Sequence, residues 1–236
     1  MQNSKNIKLI VFDMDGVLVD ARELHYDALN RALISIDKKY QISRKEHLST
    51  FDGLPTSKKL SILTKTKGLP KDIHKKVWSL KQEFTRKIID EEMLYDDRMR
   101  SILRRLKDDG YGICVASNSI RESVKMMLLR KGLLEYVDFF ISNQDVKSPK
   151  PNPEMYLKAM IAYGVGPLET LIVEDSHVGR KAAIQSGAYL CAVTDPDDVT
   201  YEKVSSHLVS ANKKSIDKPK WQGGKMNVLI PMAGAG

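Results

Sequence analysis

The 236-residue chain has no apolar run that approaches the roughly 20 residues of a membrane-spanning helix, which excludes such a helix. It has only two cysteines, Cys114 and Cys191, each inside an apolar, strand-like run ("YGICVAS" and "AYLCAV"). Nothing in the sequence supports a disulfide between them, and two buried thiols in a reducing compartment are expected. Zinc-ligand spacing is missing, and so is a basic stripe interleaved with aromatics, so nucleic acid is not an expected partner. The start, "MQNSKNIKLIVFD", has a short apolar run met at once by acids, which is not the pattern of a secretory signal. A cytoplasmic location with no membrane contact is the expectation. No strong apolar stripe marks a subunit interface, so a monomer is expected.

What is present suits a folded enzyme-sized unit. Hydrophobic residues make up 42% of the chain and charged residues 29%, enough to bury a sizeable core at this length. The net charge of +8 is uneven, because residues 22–93 hold 16 Lys or Arg against 10 Asp or Glu. Such an excess either steers an anionic ligand or coats solvated helices. That same stretch lacks β-branched runs and shows helical spacing at Leu24, Ala28, Leu29, Ala32 and Leu33. Breaks at "FDGLPTS" and "KGLP" divide it into about four helices.

The remainder alternates. "IKLIVF" (7–12) reads as a buried strand, followed after the helical stretch by a helix near 98–108 and a strand at 112–117. Ser119 with Glu122 has the spacing of a capping box for the next helix. "DFFIS" (138–142) reads as a strand, and Asn152–Pro153 as the cap and first position of a helix to Tyr163. "TLIVED" (170–175), a helix over 177–186 and "AYLCAV" complete the pattern. Strands alternating with helices imply an α/β fold, a doubly wound parallel sheet.

Ligands of such sheets bind beyond the carboxyl ends of the strands. There the sequence places Asp13 and Asp15, Ser117 and Asn118, Glu174 and Asp175, with Lys150 in the loop after the third strand. Carboxylates at the end of a buried strand are costly unless a metal or a reaction uses them. Asp13 and Asp175 suit Mg²⁺, which prefers oxygen ligands. Asp13 suits nucleophilic attack on phosphorus, and Asp15 suits protonation of the leaving oxygen followed by deprotonation of water. Ser117 and Lys150 suit phosphoryl oxygens, and Gly16 a turn tight enough for the backbone to approach. An N-cap pair would explain one of the two aspartates but not both. Lys147 rivals Lys150, which alone stands directly before Pro-x-Pro.

"DMDGVLVD", "ASNS", "KPNP" and "VEDS" match, in order, the four motifs of the haloacid dehalogenase-like hydrolases. The resemblance spans about residues 7–195 and is nearest the β-phosphoglucomutase-like and sugar-phosphatase branch. It implies a Rossmann-like core (1–20 and 94–210) with a small inserted helical cap (21–93). It also implies Asp13 as nucleophile and Asp15 as acid/base with its carbonyl on Mg²⁺. Asp175 would be a metal ligand, Glu174 a ligand directly or through water, and Ser117 with Asn118 would lie at the phosphate. His25, one turn into the first cap helix, either touches the acid/base or packs. Gly53 lies in a cap loop that faces the active site in relatives. The mutase carries an arginine in that loop, but here Pro55, Thr56 and Ser57 follow. Ala21 also stands where a hydroxyl is common. The implied activity is a Mg²⁺-dependent phosphatase for a small phosphorylated metabolite, with a phosphomutase or a catalytically silent domain as alternatives. Residues 211–225 read as a linker, and "MNVLIPMAGAG" (226–236) resembles the start of a sugar-phosphate nucleotidyltransferase, which would make a fused or cooperating transferase a partner.

Overall fold

The computed structural model describes residues 6–51 and 54–216. Five parallel strands form the sheet: β1 (Leu9–Phe12), β2 (Gly112–Ala116), β3 (Phe139–Ile141), β4 (Thr170–Glu174) and β5 (Tyr189–Ala192), in the order β3-β2-β1-β4-β5. The first strand lies in the middle, with β2 on one side and β4 on the other. Chain order therefore reverses direction at β1, which opens a crevice at its carboxyl end. Phe12 is level with Val115 and with Val173, so β1, β2 and β4 end at the same height.

The two faces of β1 feed two cores, because successive strand residues point in opposite directions. Ile10 and Phe12 join a cluster with α5 (Asp97–Asp108), α6 (Arg121–Arg130) and α9 (Tyr201–Ile216). Leu9 and Val11 pack against Met155, Tyr156 and Ala159 of α7 (Glu154–Tyr163) and Ala182 and Ala183 of α8 (His177–Ser186). All four β1 residues are fully buried, which accounts for the unbroken apolar run "LIVF".

Between β1 and α5 the chain builds a separate apolar cluster from α1 (Arg22–Ile34), α3 (Thr56–Lys67), α4 (His74–Glu92) and the connections that carry Tyr40, Ile42, Phe51 and Leu69, while the short α2 (Arg44–Glu46) buries none of its residues. Leu29, Leu33, Ile42, Phe51, Leu63 and Val77 lie at its centre. The far end of α4, at Ile88 and Ile89, packs instead into the core beneath the sheet. The buried Asn30 side chain ties this helical unit together: it donates to the Ile42 carbonyl at 3.0 Å and accepts the Ile42 N–H at 2.9 Å.

Some sequence expectations need correction. The Ser119–Glu122 capping box does not form: α6 starts at Arg121 with no side-chain cap, and Glu122 pairs with Arg86 at 3.1 Å. Pro153 is the cap residue of α7 rather than its first position, while Asn152 Oδ1 accepts the Glu154 N–H at 2.9 Å. The expected linker begins inside α9, which continues to Ile216. Gly53 and the nucleotidyltransferase-like residues 226–236 lie outside the described residues. Both cysteines are buried and unpaired, as expected. No helix among the described residues is long and apolar enough to cross a membrane.

Asn30→Ala would leave the buried Ile42 N–H without its partner, while the carbonyl keeps the Tyr26 hydroxyl at 3.3 Å. A cost of about 2 kcal/mol is expected, read as a fall in Tm of about 4–8 °C in thermal denaturation.

Candidate active site

The carboxyl end of β1 does not run straight on. The Met14 carbonyl accepts the N–H groups of Leu18 and Val19, each at 3.0 Å, and Gly16 N–H donates to the Val19 carbonyl at 2.7 Å. This curl brings Asp15 back beside Asp13. It requires Gly16 twice over: its φ is +89°, and a Cβ there would lie 2.1 Å from Asp175 Oδ2.

Lys150 is the hub. Its ammonium donates to Asp13 Oδ1 at 2.6 Å, to Glu174 Oε1 at 2.8 Å and to the Ala116 carbonyl at 2.8 Å, with the side chain 3% exposed. Asn118 fixes the Lys150 backbone from both sides, donating to its carbonyl at 3.2 Å and accepting its N–H at 3.1 Å. Glu174 also accepts the Tyr156 hydroxyl at 2.7 Å, and its second oxygen accepts both Ser176 N–H and Oγ–H at 3.2 Å. Gly179 leaves the room this needs, since a Cβ there would meet Glu174 Oε1 at 1.7 Å.

One ammonium cannot neutralise two carboxylates. Burial acts to raise the Glu174 pKa, but the Lys150 charge and the hydrogen bonds outweigh it and hold Glu174 below its usual range. The residual cost falls on Asp13, whose pKa is driven well up by burial and next by the Glu174 charge. Burial, then Glu174, also push Asp175 up to about 6. Asp13, Glu174 and Asp175 offer oxygens within 4.8 Å of one another, and buried Asp175 Oδ1 has no hydrogen-bond partner among the described residues. Three carboxylates, one lysine and an orphaned buried oxygen fit a divalent cation.

Asp15 has a different environment. Burial acts to raise its pKa, but the His25 ring and the hydroxyls of Ser119 and Ser117 outweigh that and bring it down to about 2. His25 Nε2 lies 3.1 Å from Asp15 Oδ1, while Ser117 and Ser119 donate to Oδ2 at 3.2 and 3.0 Å. Burial, then the Lys81 charge, depress the His25 pKa, so the ring is neutral at pH 7. Its Nδ1 accepts from Lys81 Nζ at 3.4 Å, which leaves Nε2–H to donate to Asp15.

A cleft of about 640 Å³ lies between these groups and the inner surfaces of α1, α3 and α4. Of the residues singled out in the sequence, Asp13, Asp15, Gly16, His25, Asn118, Lys150, Glu174 and Asp175 line it. Ser117 is fully buried behind Asp15. Asn118 faces Lys150, and both Glu174 oxygens accept from protein donors. Lys147 is exposed, and its N–H donates to Glu154 at 3.0 Å. Sequence reasoning missed Ser119, whose capping signature hid it, and Lys59, Trp78 and Lys81 on the opposite wall. Nothing in a lysine-rich helical stretch singled those three out.

A family model described as haloacid dehalogenase-like hydrolase matches residues 10–193. A phosphorylated carbohydrates phosphatase of Thermotoga maritima is 27% identical over 181 residues, covering 77% of this chain and 82% of that one. Pyrophosphatase PpaX of Bacillus velezensis is 26% identical over 217 residues, covering 86% and 96%. Among solved structures, β-phosphoglucomutase of Clostridium difficile superposes with a TM-score of 0.72 at 19% identity, covering 86% of this chain and 98% of that one.

Gly179→Ala would drive a methyl group into Glu174. A stability loss of about 1–3 kcal/mol is expected by denaturant titration, the range for overpacking a tight site.

Proposed function

The chain belongs to the haloacid dehalogenase-like hydrolases and is a phosphohydrolase, and we propose that it is a Mg²⁺-dependent phosphatase of a small phosphorylated metabolite, in particular a sugar phosphate, working through an aspartyl-phosphate on Asp13. The observation that carries this reading is the meeting of Asp13, Asp15, Lys150 and Asp175 at one cleft, with Lys150 2.6 Å from Asp13. The kinship with a phosphatase of phosphorylated carbohydrates supports the substrate class.

Asp13 and Asp175 would hold the metal with the Asp15 carbonyl, and Glu174 would contribute directly or through water. When bound, Mg²⁺ supplies positive charge against the phosphoryl oxygens. An Asp13 oxygen attacks phosphorus as the bond to the leaving oxygen breaks, and Asp15 delivers a proton to that oxygen. Asp15 then takes a proton from water, the water oxygen bonds to phosphorus, and the Asp13 carboxylate is released. The resting arrangement holds Asp15 ionised, the form that activates water. A phosphate dianion arriving beside it raises its pKa by like-charge repulsion, and the proton for the first step is taken up then. Lys150 neutralises charge at the attacking carboxylate and at the equatorial oxygens. The helical unit of residues 21–93 acts as a cap that excludes bulk water and selects the leaving group.

The cap loop favours a phosphatase over a mutase, since Pro55, Thr56 and Ser57 line the cleft where the sugar mutases of this family present an arginine. A silent domain would have no use for a desolvated carboxylate cluster.

Phosphate release is to be measured with Mg²⁺ from sugar phosphates, polyol phosphates and nucleotides. Turnover of a sugar phosphate is expected, lost with chelator and reduced at least about 10³-fold by Asp13→Asn, as for removal of a nucleophile. Undiminished activity of Asp13→Asn would refute the mechanism. A second measurement isolates the metal: Mg²⁺ should raise the Tm of the wild type but not of Asp175→Asn.

A further inference from the structure

Helix α4 brings Trp78, Lys81 and Gln82 to the cleft, at the i, i+3, i+4 spacing that shares one helix face. Val77, the residue before Trp78, is fully buried in the apolar cluster of the helical unit. The turn of the helix therefore carries the indole off that core and onto the cleft wall, where it is 44% exposed. No other Trp, Tyr or Phe among the described residues lines the cleft. Leu54 and Pro55 add apolar surface to it, and Thr56, Ser57 and Gln82 add hydroxyl and amide groups. A single exposed apolar side chain on an outer surface needs no explanation. An indole on the wall of a cleft, opposite a charged floor, is placed to meet what the cleft holds, and it offers a large, stiff apolar face for doing so.

We propose that Trp78 determines specificity as a platform for the ring of a cyclic sugar leaving group, which lies on the indole by its C–H face. This role rests on the phosphatase reading and adds to it that a closed ring is preferred over an open-chain polyol. The geometry sets the height of the platform. Asp15 is joined to α1 through His25, and His25 to α4 through Lys81. Helix α4 then runs down to the core beneath the sheet at Ile88 and Ile89. Trp78 thus stands one turn farther from the sheet than Lys81, about 4.5 Å along the helix axis. With the scissile phosphoryl at Asp13 and the leaving oxygen toward Asp15, the carbon skeleton of the leaving group extends to the level of Trp78. A sugar ring has an apolar C–H face and a rim of hydroxyls, which matches one aromatic platform with Thr56, Ser57 and Gln82 beside it. A nucleobase is flat and apolar on both faces, and a single platform would cover only one of them.

The test compares kcat/KM within matched pairs that differ only in ring closure: glucose 6-phosphate with glucitol 6-phosphate, and ribose 5-phosphate with ribitol 5-phosphate. Adenosine 5′-monophosphate is the nucleobase probe. The wild type is expected to favour the ring member of a pair by about threefold to tenfold, the scale of one aromatic stacking contact. In Trp78→Ala that ratio should collapse toward one, while Trp78→Phe keeps a preference for the ring; a ratio taken within one variant cancels general damage to the enzyme. Equal use of ring and open-chain members by the wild type, or an unchanged ratio in Trp78→Ala, would overturn the platform while leaving the phosphatase reading intact. A Trp78-dependent preference for the nucleotide over ribose 5-phosphate would assign the indole to a base and overturn the sugar-ring role. If no probe is hydrolysed, the phosphatase reading is the one in difficulty, and tryptophan fluorescence of the Asp13→Asn protein decides the platform. The chain's other tryptophan is Trp221, so Trp221→Phe is added to isolate the signal of Trp78. A larger fluorescence change with the ring member than with its open-chain partner supports the platform; equal changes, or none, refute it.

Discussion

The site depends on one buried ammonium held between two carboxylates. Lys150 has almost no contact with solvent, so its charge persists only because Asp13 and Glu174 flank it, 2.6 and 2.8 Å away. Losing one member of such a set costs about 3–5 kcal/mol, because the remaining charge is left uncompensated. Much of the surrounding structure supports this contact. Parallel register brings the ends of β1, β2 and β4 level, so that Asp13, the Ala116 carbonyl and Glu174 are all within reach of one side chain. Asn118 anchors the Lys150 backbone, and Gly179 yields the space Glu174 fills. The same contact leaves a charge deficit, since three carboxylates share one lysine. That deficit is the physical reason why these carboxylates fit a divalent cation.

A second chain of contacts joins the sheet to the helical unit. Asp15 accepts from the His25 ring, and His25 accepts from Lys81, so α1 and α4 are both coupled to the proposed acid/base. Each link is sensitive to the others because all are desolvated. Movement of α1 and α4 away from the sheet would remove the His25 N–H from Asp15 and return its carboxyl toward an ordinary pKa. Under the proposed mechanism, the position of the helical unit and the tuning of Asp15 are thus parts of one electrostatic arrangement.

The convergence of the candidate site residues was legible in the sequence because each element ends on polar groups. Buried apolar runs stop at Asp13, Ser117 and Glu174, and strand period alone puts these residues at one edge. The doubly wound sheet followed from the alternation of runs such as "TLIVED" with helices closed by Gly132 and Gly187. What was illegible depends on contacts distant in sequence. Ser119 carries a local capping signature, but its hydroxyl goes to Asp15, 104 positions away, since a buried carboxylate is a stronger acceptor than a helix end is a donor. Asn118 reads as a phosphate neighbour and proves to grip the Lys150 backbone. Lys59 and Lys81 are two among 38 basic residues, and only the packing of α3 against α4 shows that they face inward. The helix α9 overran the expected linker because its apolar positions Val204, Leu208 and Ala211 pack on the sheet.

The central claim is that Asp13 forms a bond to phosphorus. The most direct measurement is to acid-quench the enzyme during turnover of a sugar phosphate with Mg²⁺, reduce it with borohydride and sequence the peptides by mass spectrometry. An acyl phosphate at residue 13 would be reduced to homoserine at that position, and only in samples quenched with substrate present; this is the predicted result. Reduction at another carboxylate, or none while phosphate is being released, would contradict the account.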